Sequence, residues 1–166
     1  MPELADLSFC KADPKVLATL PKKYVLLIPG CSPTHPYKRW PAESYHLLAK
    51  RLAEQNIFSV VLGTNAEKNE IEIICSGNDK ALNFCNKSKL LDIPKIAANS
   101  LAIIGNDTGP QHMAELGMVP AITLFCEKTR RSAVIRSNVV NLIQPEIADI
   151  SVETVYNTLQ SLWHKA

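Results

Sequence analysis

The strongest constraint on this chain is a rhythm. Tyr24-Val25-Leu26-Leu27-Ile28 is an unbroken apolar run ended by Pro29-Gly30, the pattern of a strand buried on both faces. Residues 41–55 then carry Tyr45, Leu48, Ala49 and Leu52 at helical spacing, with Pro41 and Glu43 suited to a first turn. Together they make one β-α unit. The rhythm recurs without repeating in sequence: strands are predicted at 58–62, 81–85, 101–104, 121–125 and 139–143. Helices are predicted at 67–75, near 92–98, and at 110–116, the last stopped by Gly117. Ser151 can cap a final helix whose apolar face is Val152, Val155, Tyr156, Leu159, Leu162 and Trp163. Six short strands alternating with helices require right-handed crossovers. The predicted fold is therefore Rossmann-like α/β, a three-layer sandwich around a mostly parallel six-stranded sheet.

Composition narrows the function. A chain of 166 residues with 46% hydrophobic and 20% charged residues suits one globular domain, and excludes a disordered tail, a collagen-like repeat or a coiled coil. Lys plus Arg (18) against Asp plus Glu (16) leaves +2, too weak a field to hold nucleic acid by charge alone. No apolar run approaches a membrane span, and Met1-Pro2-Glu3-Leu4-Ala5-Asp6 carries acid where a signal peptide carries base, so a cytoplasmic protein is expected. The five cysteines are odd in number and lack a C-x-x-C pair. They are read as reduced core or loop residues, with Cys31 and Cys126 placed to line a pocket. Residues 1–22, irregular and proline-bearing, read as a linker, and residues 23–166 as the ligand-binding domain.

In such sheets ligands bind beyond the carboxyl ends of the strands, and there the polar residues collect. The loop after the first strand offers Gly30, Ser32, Thr34 and Lys38 just before a helix, a set that can hold an anion through backbone N–H groups and one ammonium; a solvated loop with Trp40 packed on the helix is the alternative. After the second strand, Glu67 can accept two ribose hydroxyls, or serve as a favourable acid in a first helical turn. The loop Gly105-Asn106-Asp107-Thr108-Gly109-Pro110-Gln111-His112 joins a buried strand to a helix. There the Thr108 hydroxyl and the Gly109 N–H suit a phosphate, Asp107 suits sugar hydroxyls, and His112 can donate to either; the alternative is a capped first turn with a surface histidine. Asp107-Thr108-Gly109 also matches the triplet of aspartic proteases, but a single copy leading into a helix of an α/β chain is the wrong context.

Taken in order, Pro29-Gly30 … Lys38-Arg39-Trp40-Pro41, Gly63 … Glu67, and Asn106 through Ala114 followed by Ala121-Ile122-Thr123-Leu124-Phe125 resemble the donor-binding, C-terminal half of the ADP-heptose:lipopolysaccharide heptosyltransferases, glycosyltransferase family 9. The resemblance runs from about residue 24 to 125. It implies a GT-B enzyme that is inverting and metal-independent, moving heptose from ADP-heptose to the lipopolysaccharide inner core. No cofactor beyond the donor substrate is implied. Ser32, Lys38, Thr108, Gly109 and His112 would meet the donor phosphates, Glu67 the ribose and Asp107 the sugar, with residues 84–92 near the base. The implied partners are the donor, the lipopolysaccharide acceptor and an N-terminal acceptor domain, with peripheral residence at the inner membrane face.

Two departures from the family follow. Cys126-Glu127-Lys128-Thr129 stands where members carry Gly-Pro-Thr, so the loop beside the sugar is expected to differ in shape. Two-domain members are roughly twice this long and keep their catalytic base in the N-terminal domain, so no catalytic residue is assigned here. Two other readings stand beside this one: a nucleotide-sugar binding module without transfer activity, and another GT-B enzyme that uses a UDP-sugar, such as a 2-epimerase.

Overall fold

A computed structural model describes residues 10–164. Six strands, β1 (Tyr24–Ile28), β2 (Phe58–Gly63), β3 (Ala81–Cys85), β4 (Ala102–Asn106), β5 (Ala121–Cys126) and β6 (Val139–Gln144), form one sheet in the order β3-β2-β1-β4-β5-β6. Every pairing is parallel. Six helices flank it: α1 (Pro14–Ala18), α2 (Ala42–Glu54), α3 (Lys68–Cys75), α4 (Ile93–Ala98), α5 (Gly109–Glu115) and α6 (Val152–Trp163).

The alternation of side chains along a strand splits the core in two. Val25 and Leu27 point to one layer, where Tyr45, Leu48 and Leu52 of α2, Ile71 and Ile74 of α3, and Val155 and Leu159 of α6 cover the sheet. Tyr24, Leu26 and Ile28 point to the other, covered by Ile93 and Ile96 of α4 and Ala114 of α5. All five residues of β1 are buried, which is why the run Tyr24 to Ile28 shows no polar alternation. The sheet order reverses between β1 and β4, so a crevice opens at their carboxyl ends.

Several local expectations are corrected. Residues 10–22 are not irregular throughout: α1 is capped by Asp13, whose carboxylate accepts the Lys15 N–H at 2.8 Å, and Val16, Leu17 and Leu20 pack on the second core. Residues 1–9 of the expected linker lie outside the described residues. β4 runs on through Asn106 because Asn106 pairs with Leu124 of β5, leaving Asp107 one residue past the strand. The helix expected at 67–75 begins with a tight 3-10 turn over Asn65–Glu67. Gly117 is not a left-handed stop, since the positive φ falls on Met118 (60°). Gly117 is needed for close approach, as a Cβ there would sit 2.7 Å from the Ala98 backbone nitrogen of α4. Among the described residues no helix is long and apolar enough to cross a membrane.

Candidate functional site

The site is assembled around a buried asparagine. Asn106, wholly buried at the end of β4, donates from Nδ2 to the Pro29 carbonyl at 2.7 Å. Its Oδ1 accepts the Trp40 N–H at 3.1 Å and the Tyr45 hydroxyl at 3.0 Å. Both ends of the β1–α2 loop are thereby tied to one side chain of a neighbouring strand. Trp40 anchors the far end, its indole N–H on the Ile150 carbonyl at 2.7 Å and its ring edge-on to Tyr45. Arg39 braces the loop from within, donating to Cys31 Sγ and to the Cys31 carbonyl, each at 3.2 Å, and pairing with Glu70. The short 3-10 turn Pro36–Lys38 then brings Lys38 over the end of β4, where its Nζ meets Asp107 Oδ2 at 2.8 Å.

Asp107 carries a second cation. His112 Nε2 lies 3.0 Å from Oδ1 of Asp107, and Nδ1 lies 3.2 Å from Oε2 of Glu115. A ring flanked by two carboxylates donates from both nitrogens. The bonds to Asp107 first and Glu115 second outweigh burial and push the His112 pKa up to about 9. For Asp107, burial works upward, but the bonds from His112 and Lys38 prevail and hold it below the ordinary carboxylate value. Asp107 thus stays an anion clamped between two cations.

Glu67 closes the opposite wall. Its Oε2 accepts the Thr64 N–H at 2.9 Å and the Thr64 hydroxyl at 2.8 Å, a capping box for the Asn65–Glu67 turn. Its Oε1 makes no hydrogen bond among the described residues, so the acid serves the turn and still keeps one free acceptor. Two glycines make room for it. A Cβ on Gly30 would come within 3.1 Å of the Glu67 side chain, and one on Gly63 within 2.7 Å of Ile71 Cδ1 and 3.3 Å of Glu67 Cβ. Between these walls lies a cavity of about 600 Å³, lined by the loops after β1, β2, β3 and β4. Such a volume fits a small organic ligand.

The sequence profile of glycosyltransferase family 9 (heptosyltransferase) matches residues 2–152. The chain belongs to glycosyltransferase family 9. Among solved structures it is similar to E. coli ADP-heptose LPS heptosyltransferase II, with a TM-score of 0.77 at 19% identity over 99% of this chain and 54% of that one. It is similar to E. coli heptosyltransferase WaaC with ADP, at 0.71 and 19% over 91% and 47%. A family 9 glycosyltransferase from Veillonella parvula gives 0.78 and 17% over 87% and 47%. The chain thus spans about half the length of the structures it matches, and at these identities the likeness carries the fold. A search of the curated proteins finds no match.

Of the residues expected at the site of this family 9 domain, Ser32, Lys38, Glu67, Asp107, Thr108 and Gly109 all line the one cavity. Ser32 Oγ is bonded to Thr34 Oγ1 at 2.8 Å, while the Thr108 hydroxyl is buried and has no partner among the described residues. His112 is not among the residues that line the cavity; its ring stands behind Asp107, with both nitrogens facing carboxylates. It is partly exposed and bonded on both sides. Cys31 lines the cavity, whereas Cys126 is sealed in the core beside Thr129. Ser88, Lys89 and Leu90, within the segment expected near the base, join the lining; the loop at 127–132 does not. Sequence reasoning missed Asn106 as the hub and Glu115 as the partner of His112. The available signals were a polar residue closing an apolar strand, and an acid at i+3 from His112 on the buried side of α5. Among the described residues no cluster of His, Cys, Asp and Glu is arranged to hold a metal ion.

Proposed function

We propose that this domain binds ADP-heptose and presents it for transfer of heptose to the lipopolysaccharide inner core, by an inverting and metal-independent route. One observation carries the reading: Lys38, Glu67 and Asp107, from three different strand ends, converge on one cavity at the point where the sheet order reverses. Lys38 has three N–H donors and gives only one to Asp107, so two remain for the diphosphate. The unpartnered Thr108 hydroxyl, Ser32 and the Gly109 N–H, which has no intrahelical partner in the first turn of α5, complete that cradle. Glu67 Oε1 takes a ribose hydroxyl and Asp107 a sugar hydroxyl. His112 acts one step back, by holding Asp107. In the transfer, an acceptor hydroxyl oxygen bonds to the anomeric carbon as the bond to the diphosphate oxygen breaks. ADP departs with its growing charge met by Lys38, and the hydroxyl proton passes to a base on the acceptor side.

A UDP-sugar is the second reading, favoured by the similarity to a Methanocaldococcus jannaschii UDP-GlcNAc 2-epimerase in complex with UDP-GlcNAc and UDP (TM-score 0.61, 13% identity, 97% of this chain and 45% of that one). The WaaC structures, one with ADP and one with ADP-2-deoxy-2-fluoro heptose, support adenine instead. Calorimetric titration with ADP, UDP and GDP tests the choice. ADP binding at least about tenfold tighter than the others, a difference of about 1.4 kcal/mol, is expected; a UDP preference would replace the heptosyl donor, and binding of none would remove the donor reading.

A further inference from the structure

The buried polar chain beneath the cavity does more than fill space. Gln111 Nε2 donates to Thr123 Oγ1 at 2.9 Å, the Thr123 hydroxyl donates to Glu115 Oε1 at 2.6 Å, and Glu115 Oε2 faces His112 Nδ1 at 3.2 Å. Glu115 and Thr123 are wholly buried, Glu115 on α5 and Thr123 in the middle of β5. An acid placed there without partners would be costly, and here both of its oxygens accept. The Thr123 hydroxyl donates to Glu115 Oε1, which leaves Oε2 facing the His112 Nδ1 at 3.2 Å; with the ring held protonated between Asp107 and Glu115, Nδ1 donates to that oxygen. The other nitrogen then has only Asp107 before it.

We propose that Glu115 is a positioning residue for the donor site: its buried carboxylate fixes the His112 ring so that the Nε2–H is aimed at Asp107, which in turn keeps the orientation that meets the sugar. The proposal rests on the donor reading given above. The charged groups around His112 are few. Asp107 faces it from the end of β4 and Glu115 from its own helix, while Lys38 reaches only the other oxygen of Asp107. On the neighbouring α4 segment, Asp92 is engaged by the Lys89 N–H at 2.7 Å, and neither it nor Lys95 bonds to His112. Removing the Glu115 charge therefore leaves Asp107 as the one anion bonded to the ring. His112 then loses its proton at a lower pH, and above that pH one nitrogen no longer donates.

The test is an NMR titration of histidine-labelled chain, with the His112 resonances assigned through His112→Asn, in the unaltered protein and in Glu115→Gln. An unaltered His112 midpoint near 9, falling by a unit or more in Glu115→Gln, is expected. An ordinary midpoint near 6.5 in the unaltered chain overturns the proposal whether or not the variant folds, as does a Glu115→Gln curve that superimposes on the parent. Calorimetry with ADP-heptose then reads the positioning. The variant should bind within about threefold of the parent at pH 6, but at least tenfold more weakly at pH 8.5, with ADP alone little changed. An equal loss at both pH values makes Glu115 merely structural. Should ADP-heptose fail to bind the unaltered chain, the donor reading falls and takes the positioning role with it, while the His112 titration still decides whether Glu115 controls the ring.

Discussion

Lys38 and Asp107 are 69 residues apart in the chain and 2.8 Å apart in space. They come from the segments that follow β1 and β4, the two strands that flank the switch point of the sheet, so their ion pair spans the crevice that an α/β fold offers to a ligand. The pair is half-sheltered, with Lys38 22% and Asp107 5% exposed. It joins the expected phosphate cation to the expected sugar anion, which gives each a second task.

Lys38→Ala removes a donor to the diphosphate and uncovers Asp107, so two effects oppose the bound anion. A loss of roughly 1.5 to 3 kcal/mol in ADP binding, about 10- to 150-fold, is expected without unfolding. Isothermal calorimetry measures it directly. Unchanged affinity would return Lys38 to a purely structural partner of Asp107.

Asn106→Ala should cost stability more than any cavity-lining change. It strands the Pro29 carbonyl and the Trp40 N–H at a buried spot and leaves the Tyr45 hydroxyl only its longer contact to the Ile28 carbonyl at 3.5 Å, and each unpaired buried group costs about 1 to 3 kcal/mol where water cannot repair it. A loss of about 3 kcal/mol or more in urea unfolding is expected, with ADP binding weakened because the β1–α2 loop is released. A change below about 1 kcal/mol would mean that Trp40 alone holds the loop.

Stability should fall as pH rises from about 6.5 to 9. His112 has a raised pKa in the folded state, so its contribution is complete below the ordinary histidine value and disappears as the pH passes through about 9. Asp107 has the opposite sign: its lowered pKa contributes above the ordinary carboxylate value and is lost in acid. Carried in full, the histidine term amounts to roughly 3 kcal/mol, but the ring is 29% exposed and on the order of 2 kcal/mol is expected after screening. Chemical denaturation at pH 6 and pH 9, repeated with His112→Gln, should show a slope that the variant lacks.

The fold was legible because β1 is buried on both faces and its neighbours alternate with amphipathic helices; nothing about Tyr24 to Ile28 competes with that reading. What was legible of the cavity was its loops: Lys38, Glu67 and Asp107 each sit on a segment that follows a strand at the carboxyl edge, and one cavity gathers them. Their partners were not legible. Whether Lys38 faces solvent or Asp107 depends on a loop tied down by Asn106, a contact between distant segments that no local spacing encodes. The partner of His112 was hidden for the same reason: its neighbour Glu115 reads as an ordinary helix acid until β5 sets Thr123 against it. Gly117 looked like a helix stop because glycine favours positive φ, yet the tight packing of α4 is what requires it there.

Two glycines on either side of the β4–α5 connection should behave oppositely. Gly105→Ala would drive a Cβ to 2.3 Å from Gln111 Oε1 and 2.9 Å from the Ile28 carbonyl, a backbone clash inside the sheet, so a loss of several kcal/mol or failure to fold is expected. Among the described residues nothing lies within 4 Å of a Cβ at Gly109. Gly109→Ala should fold with little change in melting temperature, while weakening ADP binding about tenfold if the diphosphate lies against that backbone. Parent-like ADP affinity in Gly109→Ala would move the phosphates away from α5.

Transfer itself should require more than these residues supply. Attack on the anomeric carbon needs a base at the acceptor hydroxyl, typically worth 10²- to 10⁴-fold, and an acceptor held in line. Of the cavity acids, Asp107 is clamped by Lys38 and His112, while Glu67 gives one oxygen to its capping box and the other is the one proposed for the ribose. His112, already carrying protons on both nitrogens toward carboxylates, cannot take another. Lys38 can stabilise the departing diphosphate, which favours bond cleavage but supplies no proton acceptor. The expected outcome is that the purified chain binds ADP-heptose yet transfers no labelled heptose to a lipopolysaccharide-core acceptor above background, and that an added acceptor-binding domain from a two-domain family member restores turnover. Multiple turnovers by the chain alone would require a base within the chain, and Glu67, whose Oε1 is the one cavity carboxylate oxygen without a partner among the described residues, would be the first to replace, as Glu67→Gln.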